Sequence, residues 1–296
     1  MKTVLTPRQF AEAIGVSESS VKRWVDEGHI VATRTAGGHR RISAQEAARY
    51  IREHASVIER PDILGLDDLE AFQVRGEVGD DPDERFFEYL RSGAAAQARG
   101  LVLSAYLQGR SVAQIVDGPV AHAMARIGEL WVANPSGIFW EHRATQIAVQ
   151  AVGRLRLLQT PRKGAPVAVG GAPSGDRYIL PSLAVAAVLE GEGLRATNLG
   201  AETPISTLSL GVDDLDARLA WLSVSVATNV DTLRRQIDRL VARLARRGAL
   251  LVVGGAEARK LGLTKSDTVY VGGSMAELEA LVQGMRLAPS EPRSGN

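Results

Sequence analysis

The 296-residue sequence contains no cysteine, which excludes disulfides, thiolate nucleophiles and cysteine metal sites together. Its five histidines stand apart at positions 29, 39, 54, 122 and 142, and none falls at a zinc-like spacing. No metal site is expected. Nor does any apolar run approach the roughly 18–20 residues that span a bilayer, and the opening MKTVLTPRQFAEAIG lacks the uninterrupted apolar core of a signal peptide. The expectation is a cytoplasmic protein without a membrane partner. An excess of charge of one sign is missing too: the net charge is +1, with 45% hydrophobic residues, ordinary for a chain of two or three folded domains. Ser-His-Asp, phosphate-loop and metal constellations are absent, so an enzyme is not expected.

Charge is unevenly placed, however. Between Lys22 and Arg41 stand Lys22, Arg23, Arg34, Arg40 and Arg41 against Asp26 and Glu27 alone, a local basic patch. Thr6-Pro7 opens a short helix over 8–14, Gly15-Val16-Ser17 breaks it, and Ser17 can cap a second helix over 18–27. Two short helices joined by such a turn form a helix-turn-helix, whose second helix enters the major groove. On it Ser19, Ser20, Lys22 and Arg23 are the polar positions, while Val21, Trp24 and Val25 have inward spacing. Two extended pieces then flank Gly37-Gly38, with Arg34, His39, Arg40 and Arg41 at base and tip, a wing able to lay cations along phosphates. Ser43-Ala44-Gln45-Glu46 reads as a capping box opening a helix to about His54.

Residues 56–81, with Pro61, Gly65, Gly76, Gly79 and several aspartates, read as a partly ordered linker. Over 82–160 apolar residues recur at three-to-four spacing in four amphipathic segments, the pattern of a four-helix bundle. Trp131 closes one helix and Glu141-His142 lie in the first turn of the next, so the three could converge at one end. From periodicity alone, a core tryptophan beside a surface Glu-His pair is the favoured reading.

From 165 to 290 five β-rich runs alternate with helical segments at 178–191, 203–213, 229–247, 255–262 and 274–286. That order implies a doubly wound, flavodoxin-like parallel sheet with its ligand mouth at the carboxyl ends of the strands. Glycine pairs there, Gly254-Gly255 among them, either admit a bulky flat ligand or simply make tight turns. The fold class is thus multi-domain α and α/β: a winged helix-turn-helix (1–55), linker (56–81), four-helix bundle (82–160) and doubly wound parallel-sheet domain (165–290).

TPRQFAEAIGVSESSVKRWVDEGHI followed by RTAGGHRRIS resembles the DNA-binding domain of MerR-type transcription regulators over residues 3–54. The spacing of Trp131, Glu141 and His142 is similar to the cap over adenosylcobalamin in CarH-like light-responsive repressors, a family that joins the same three modules in this order. The last domain is similar to cobalamin-binding domains, whose signature is D-x-H-x-x-G, then S-x-L, then G-G. Asp176, Ser223 and Gly254-Gly255 match it; Tyr178 stands for the cobalt-ligating histidine, Pro181 for the glycine that makes room for the nucleotide tail, and Ser225 for leucine. Val132 also stands where a second ligating histidine would be expected. The resemblance implies a repressor of paired half-sites, binding double-stranded DNA as a homo-oligomer, dimer or tetramer. For the pocket three readings stay open: cobalamin without histidine ligation, another tetrapyrrole or flat ligand met by Arg177 and Tyr178, or no ligand in a pure oligomerisation scaffold. A corrinoid-dependent enzyme subunit is the remaining alternative.

Overall fold

Thr6 opens the first helix with a complete capping box. Its hydroxyl accepts from Gln9 N at 3.2 Å while Gln9 Oε1 accepts from Thr6 N at 2.9 Å, over α1 (Pro7–Ala13). Gly15, at φ +68°, makes the turn that an L side chain resists. Ser17 then caps α2 (Glu18–Asp26) by accepting from Ser20 N at 3.1 Å. The strands β1 (Val4–Leu5), β2 (Ala32–Arg34) and β3 (Arg40–Ser43) form an antiparallel sheet in the order β1-β3-β2. Ser43 caps α3 (Ala44–His54) through Glu46 N at 3.1 Å, but the expected box is only half formed. Glu46 instead turns its carboxylate to Val31 N at 2.7 Å and to Arg49, where unpaired donors compete for it. Leu5, Phe10, Val21, Ile30, Ile42 and Ile51 fill the core of this segment.

The computed structural model describes residues 4–73, 81–132 and 137–285, without the side chains of Gln73, Trp131 and Val132. It falls into two units, Met1–Thr160 and Pro161–Asn296, each taken by itself below. In the first unit the stretch expected as a linker is largely ordered. Glu59 N and Arg60 N both donate to Ala13 O, at 2.9 and 3.2 Å, returning the chain to α1. Two short helices follow, α4 (Pro61–Leu64) and α5 (Asp68–Gln73), burying Ile63, Leu64, Leu66 and Leu69. The aspartates that suggest a solvated linker are partly structural. Asp68 accepts from Arg99 Nη2 at 2.8 Å and stands 3.3 Å from Arg154 Nε.

Those arginines belong to the next helices: α6 (Pro82–Ser92), α7 (Ala95–Leu107), α8 (Val112–Ile115), α9 (Ala121–Val132) and α10 (Gly137–Arg156). A π turn over Val116–Val120, bent at Gly118 and carrying Pro119, joins α8 to α9. The result is four helical runs packed on one another, with α10 against α6, α7 and α9. Arg52 of α3 donates to Tyr106 O and to Arg110 O at 2.6 Å, with its guanidinium 4.5 Å above the Tyr106 ring. Burial pushes the Tyr106 phenol above its ordinary pKa, against the opposing pull of Arg52.

The second unit is a five-stranded parallel sheet in the order β5-β4-β6-β7-β8: β4 (Val167–Gly171), β5 (Arg195–Asn198), β6 (Leu219–Ser223), β7 (Leu250–Gly254) and β8 (Val269–Val271). Buried on both faces, β4 and β6 read as continuous apolar runs. The helices α11 (Leu180–Gly191), α12 (Ile205–Asp214), α13 (Val230–Ala245) and α14 (Met275–Gly284) alternate with the strands. Where 255–262 suggests a helix there is only a 3₁₀ turn, Ala258–Leu261, ended by Gly262 at φ +58°. Strand order reverses between β4 and β6, so the topological switch point lies beyond Gly171 and Ser223.

The 56–73 stretch approaches the helical runs tightly at Gly100, where a Cβ would meet Asp68 O at 2.1 Å and Phe72 Cβ at 2.6 Å. Gly100→Ala is therefore expected to destabilise the protein by about 1–3 kcal/mol through overpacking despite its better helix propensity. Urea unfolding checks this, and an unchanged or raised midpoint would show that α5 is not held against α7.

Candidate functional site

Two surfaces carry chemistry. The first is built on α2. Ser17, already the cap, shares its hydroxyl with Ser19 Oγ and Ser20 Oγ, each 2.8 Å away, so all three oxygens cluster at the helix start. Lys22 Nζ lies 2.8 Å from Glu18 and Arg23 Nε 4.0 Å from Glu27, both pairs well exposed. Such pairs hold little net energy, on the order of 0–1 kcal/mol, so phosphate can displace the carboxylates at small loss. On its other side α2 is braced by rings. Trp24 stacks on Tyr50 at 5.1 Å, Tyr50 on His54 at 4.1 Å, and Phe10 meets Tyr50 edge-on at 5.9 Å.

The hairpin of β2 and β3 turns at Gly38, φ +78°, where Gly38 N donates to Thr35 O at 2.8 Å and His39 N to Thr35 Oγ1 at 3.2 Å. Its cations divide. Arg34 and His39 are exposed, and Arg34 has no carboxylate in reach among the described residues. Arg40 instead pairs with Asp26 of α2, and Arg41 Nη1 donates to Arg40 O at 3.2 Å. Arg40 thus joins hairpin to helix, a pairing across fourteen positions that spacing does not reveal.

The second surface is the switch point of the α/β unit. Asp176 is fully buried. Its Oδ2 accepts from Ser225 N at 2.6 Å and Val226 N at 3.1 Å, its Oδ1 from Tyr178 N at 3.0 Å. This carboxylate fastens the loop after β4 to the loop after β6. A second acid, Glu202, fastens the loop after β5: it accepts from Gly175 N at 2.7 Å and from Arg177 Nε at 3.3 Å. The Gly175 amide, helped by Arg177, holds its carboxyl below the ordinary range. Glu202 pays for that position with a left-handed backbone, φ +53°. Tyr178 is half exposed and Ser223 buried, while Gly255, at φ +103°, leaves no room for a Cβ beside the Val224 backbone, 2.5 Å away. Gly254 accepts through its carbonyl from Val224 N at 2.7 Å.

Below this loop lies a feature that motif reading misses. Trp221, in mid-β6, is fully buried; its indole N–H donates to Ser182 Oγ at 3.0 Å, and Ser182 donates to Asn198 Oδ1 at 2.8 Å. The ring lies where any Cβ on residue 170 would be, 2.2 Å away, so Gly170 is the space it occupies. The only signal in the sequence is a tryptophan within a strand of small apolar residues.

In the first unit, Glu141 and His142 do lie side by side in the first turns of α10, His142 Nε2 3.5 Å from Glu141 Oε2, with Glu141 Oε1 accepting from Thr145 at 3.0 Å. His142 is well exposed. Trp131, third of the expected cluster, has its side chain outside the described residues, as does Val132. Among the described residues no helix is long and apolar enough to cross a membrane.

Asp176→Ala is expected to destabilise the α/β unit by about 2–4 kcal/mol, since it orphans three backbone N–H groups, two of them in the loop after β6. Tyr178→Ala, at a half-exposed position, is expected to change stability by less than about 0.5 kcal/mol. Paired urea curves followed by far-UV circular dichroism test this contrast, and equal effects would remove Asp176 from its fastening role.

Comparison with known proteins divides along the same lines. Residues 4–55 match the model of a helix-turn-helix domain, and residues 83–156 that of a B12 binding domain. The second match covers the helical runs, not the parallel sheet. No curated protein matches the chain. Among solved structures the chain is similar to the monomethylamine corrinoid protein of Methanosarcina barkeri, at 17% identity and a TM-score of 0.53, over 69% of this chain and 98% of that one. It is also similar to a cobalamin-binding protein from Desulfitobacterium hafniense DCB-2, at 16% identity and a TM-score of 0.35, over 67% and 96%. At 17% identity the first likeness is one of fold. The α/β loop does not fit a corrinoid ligated through its cobalt from below. Tyr178 offers a phenol, a poor substitute for imidazole. Asp176, which could orient a ligating ring, is fully engaged by amides, and Trp221 fills the space beneath the first turn of α11. The chain therefore joins a helix-turn-helix domain to a helical segment of the B12 binding type and a parallel-sheet unit in the fold of corrinoid proteins.

Proposed function

We propose that this chain is a transcription regulator of the MerR type, a repressor, that reads duplex DNA through α2 and holds it with the β2–β3 hairpin as a wing. The observation that carries the reading is the helix-turn-helix match over residues 4–55 together with a braced α2 whose outer face presents Ser19, Lys22 and Arg23 beside an unpaired Arg34. The order of parts supports kinship with CarH-like repressors, in which the remaining modules sense a ligand and assemble copies on paired half-sites. Light is not expected to act by cobalt ligand exchange, because Tyr178 and Val132 stand where the resemblance would place the ligating histidines. His39, Arg40 and Arg41 complete the wing, Arg40 by setting its angle to α2 rather than as a free cation.

The B12 binding match over 83–156 favours a second reading of the sensor, in which a corrinoid keeps its own axial base and Glu141, His142 and Trp131 are its contacts in the helical segment. Taken by itself, the α/β unit offers Ser223, Ser225 and Gly254-Gly255 as its floor for a flat ligand. A tetrapyrrole of another kind, paired with Arg177 through a carboxylate, meets the same floor.

Replacing Lys22, Arg23 and Arg34 together with alanine is expected to lower the slope of log K against log salt for duplex DNA by roughly 0.9 for each phosphate no longer neutralised, thus by up to about 2.7. Fluorescence anisotropy across a salt series measures it, and an unmoved slope sinks the DNA-reading assignment. The sensor is read by absorption after dark incubation with adenosylcobalamin and removal of free ligand. A retained corrinoid spectrum with its axial base on cobalt is the outcome expected of the second reading, and a colourless protein removes it.

A further inference from the structure

The helix α13 buries Leu233, Ile237, Leu240 and Leu244 toward the sheet, a stripe at i, i+4, i+7 and i+11. Two residues further on, about 200° around the helix, runs a second stripe of the same spacing: Arg235, Arg239, Ala242 and Arg246, all exposed. This is the face directed away from the core.

The arginines of this helix fall into two sets. Arg234 donates to Leu261 O at 2.8 Å, Gly262 O at 2.6 Å and Asp238 at 2.9 Å, while Arg243 and Arg247 pair with Asp213 and Arg247 also with Asp216. These three hold the helix to its unit. The outward three do not: Arg235 meets only the Thr232 hydroxyl, at 3.0 Å, and Arg239 and Arg246 have no ion-pair partner among the described residues. Asp238, between Arg235 and Arg239 in the sequence, is already held by Arg234. The helix dipole favours a cation at Arg246, near the carboxyl end, but not at Arg235 in the second turn. Fold stability therefore does not explain the row.

Three guanidinium forks spread over roughly 16 Å of helix, separated by an alanine that lets a surface come close, match a rod bearing closely spaced phosphates. Duplex DNA presents one charge per about 1.7 Å of axis. We infer that the outward face of α13 is a second, sequence-independent phosphate-binding surface, by which the α/β unit holds duplex DNA. The inference rests on the DNA-binding reading for its supply of duplex, but on different residues.

The test uses the full chain, a random-sequence duplex of about 60 base pairs, and two variants: Arg235→Gln/Arg239→Gln/Arg246→Gln, and the Lys22, Arg23 and Arg34 alanine variant. With three phosphates at stake, the α13 variant should lower the salt slope by about 2.7, so that between 50 and 200 mM salt it loses about 40-fold less affinity than the parent. An unchanged slope for the α13 variant with a lowered slope for the α2 variant overturns the inference and leaves the DNA-reading assignment standing. The converse pattern supports the α13 surface while removing α2. If the α13 variant keeps its slope but sediments as a smaller species, the row belongs to an interface between copies and the inference is likewise overturned. Equal circular dichroism melts of parent and variants exclude loss of fold, which no exposed Arg→Gln change on this face should cause.

Discussion

A carboxylate withdrawn from water must be met by donors, and in each unit one such group decides where separate pieces of chain stop. In the α/β unit Asp176 takes amide donors from its own loop and from the loop after β6, forty-nine and fifty residues along. The parallel sheet leaves these loops at one edge, and the carboxylate converts neighbours into a fixed platform. In the first unit Asp68 does similar work with guanidinium groups: Arg99, which also donates to Gln150 at 2.9 Å, and Arg154, which also donates to Gly65 O at 3.1 Å. Three helices are thereby held to one acid.

That second arrangement matters for the N-terminal segment, because α3 is bound to α7 by Arg52 and α1 is bound to the 56–73 stretch through Ala13 O. The helix-turn-helix is not a bead on a string within its unit. The ring stack of Trp24, Tyr50 and His54 sets the pitch of α2 against α3, and Arg40 with Asp26 sets the hairpin against α2. Lys22 and Arg23 remain paired with weakly held acids on their own helix. Rigid placement of the backbone thus coexists with side chains that exchange partners cheaply, a combination suited to recognising a polyanion.

Much of this is legible from local chemistry. Thr6-Pro7, Ser17 and Ser43 act as caps because short oxygen side chains satisfy helix-start amides wherever they occur, and apolar runs mark β4, β6, β7 and β8 of the parallel sheet. What escapes depends on partners far apart in sequence. Residues 61–73 look like linker because their aspartates are counted as solvated, and only the fold brings Arg99 and Arg154 to Asp68. Asp176 is legible as a motif residue, but its donors are backbone amides, which every sequence has and none advertises. Glu46 fits a capping box, yet Val31 N competes for it. Arg40 reads as a free cation, and only the folded hairpin brings it to Asp26. The switch-point site is therefore readable as a place and not as an environment.

The indole of Trp221 and the missing side chain of Gly170 occupy one volume, and this has an evolutionary meaning. Any substitution at 170 is forbidden while tryptophan remains at 221, and shrinking 221 alone leaves a large void against a glycine. A Cβ at 170 would also meet the Trp221 carbonyl oxygen, 2.4 Å away, so the strand backbone as well as the indole requires glycine there. Ser182 deepens the commitment, since its hydroxyl, which donates to Asn198, would lose its indole donor once the tryptophan left. A chain that has closed this space has taken a step that selection cannot easily retrace one residue at a time.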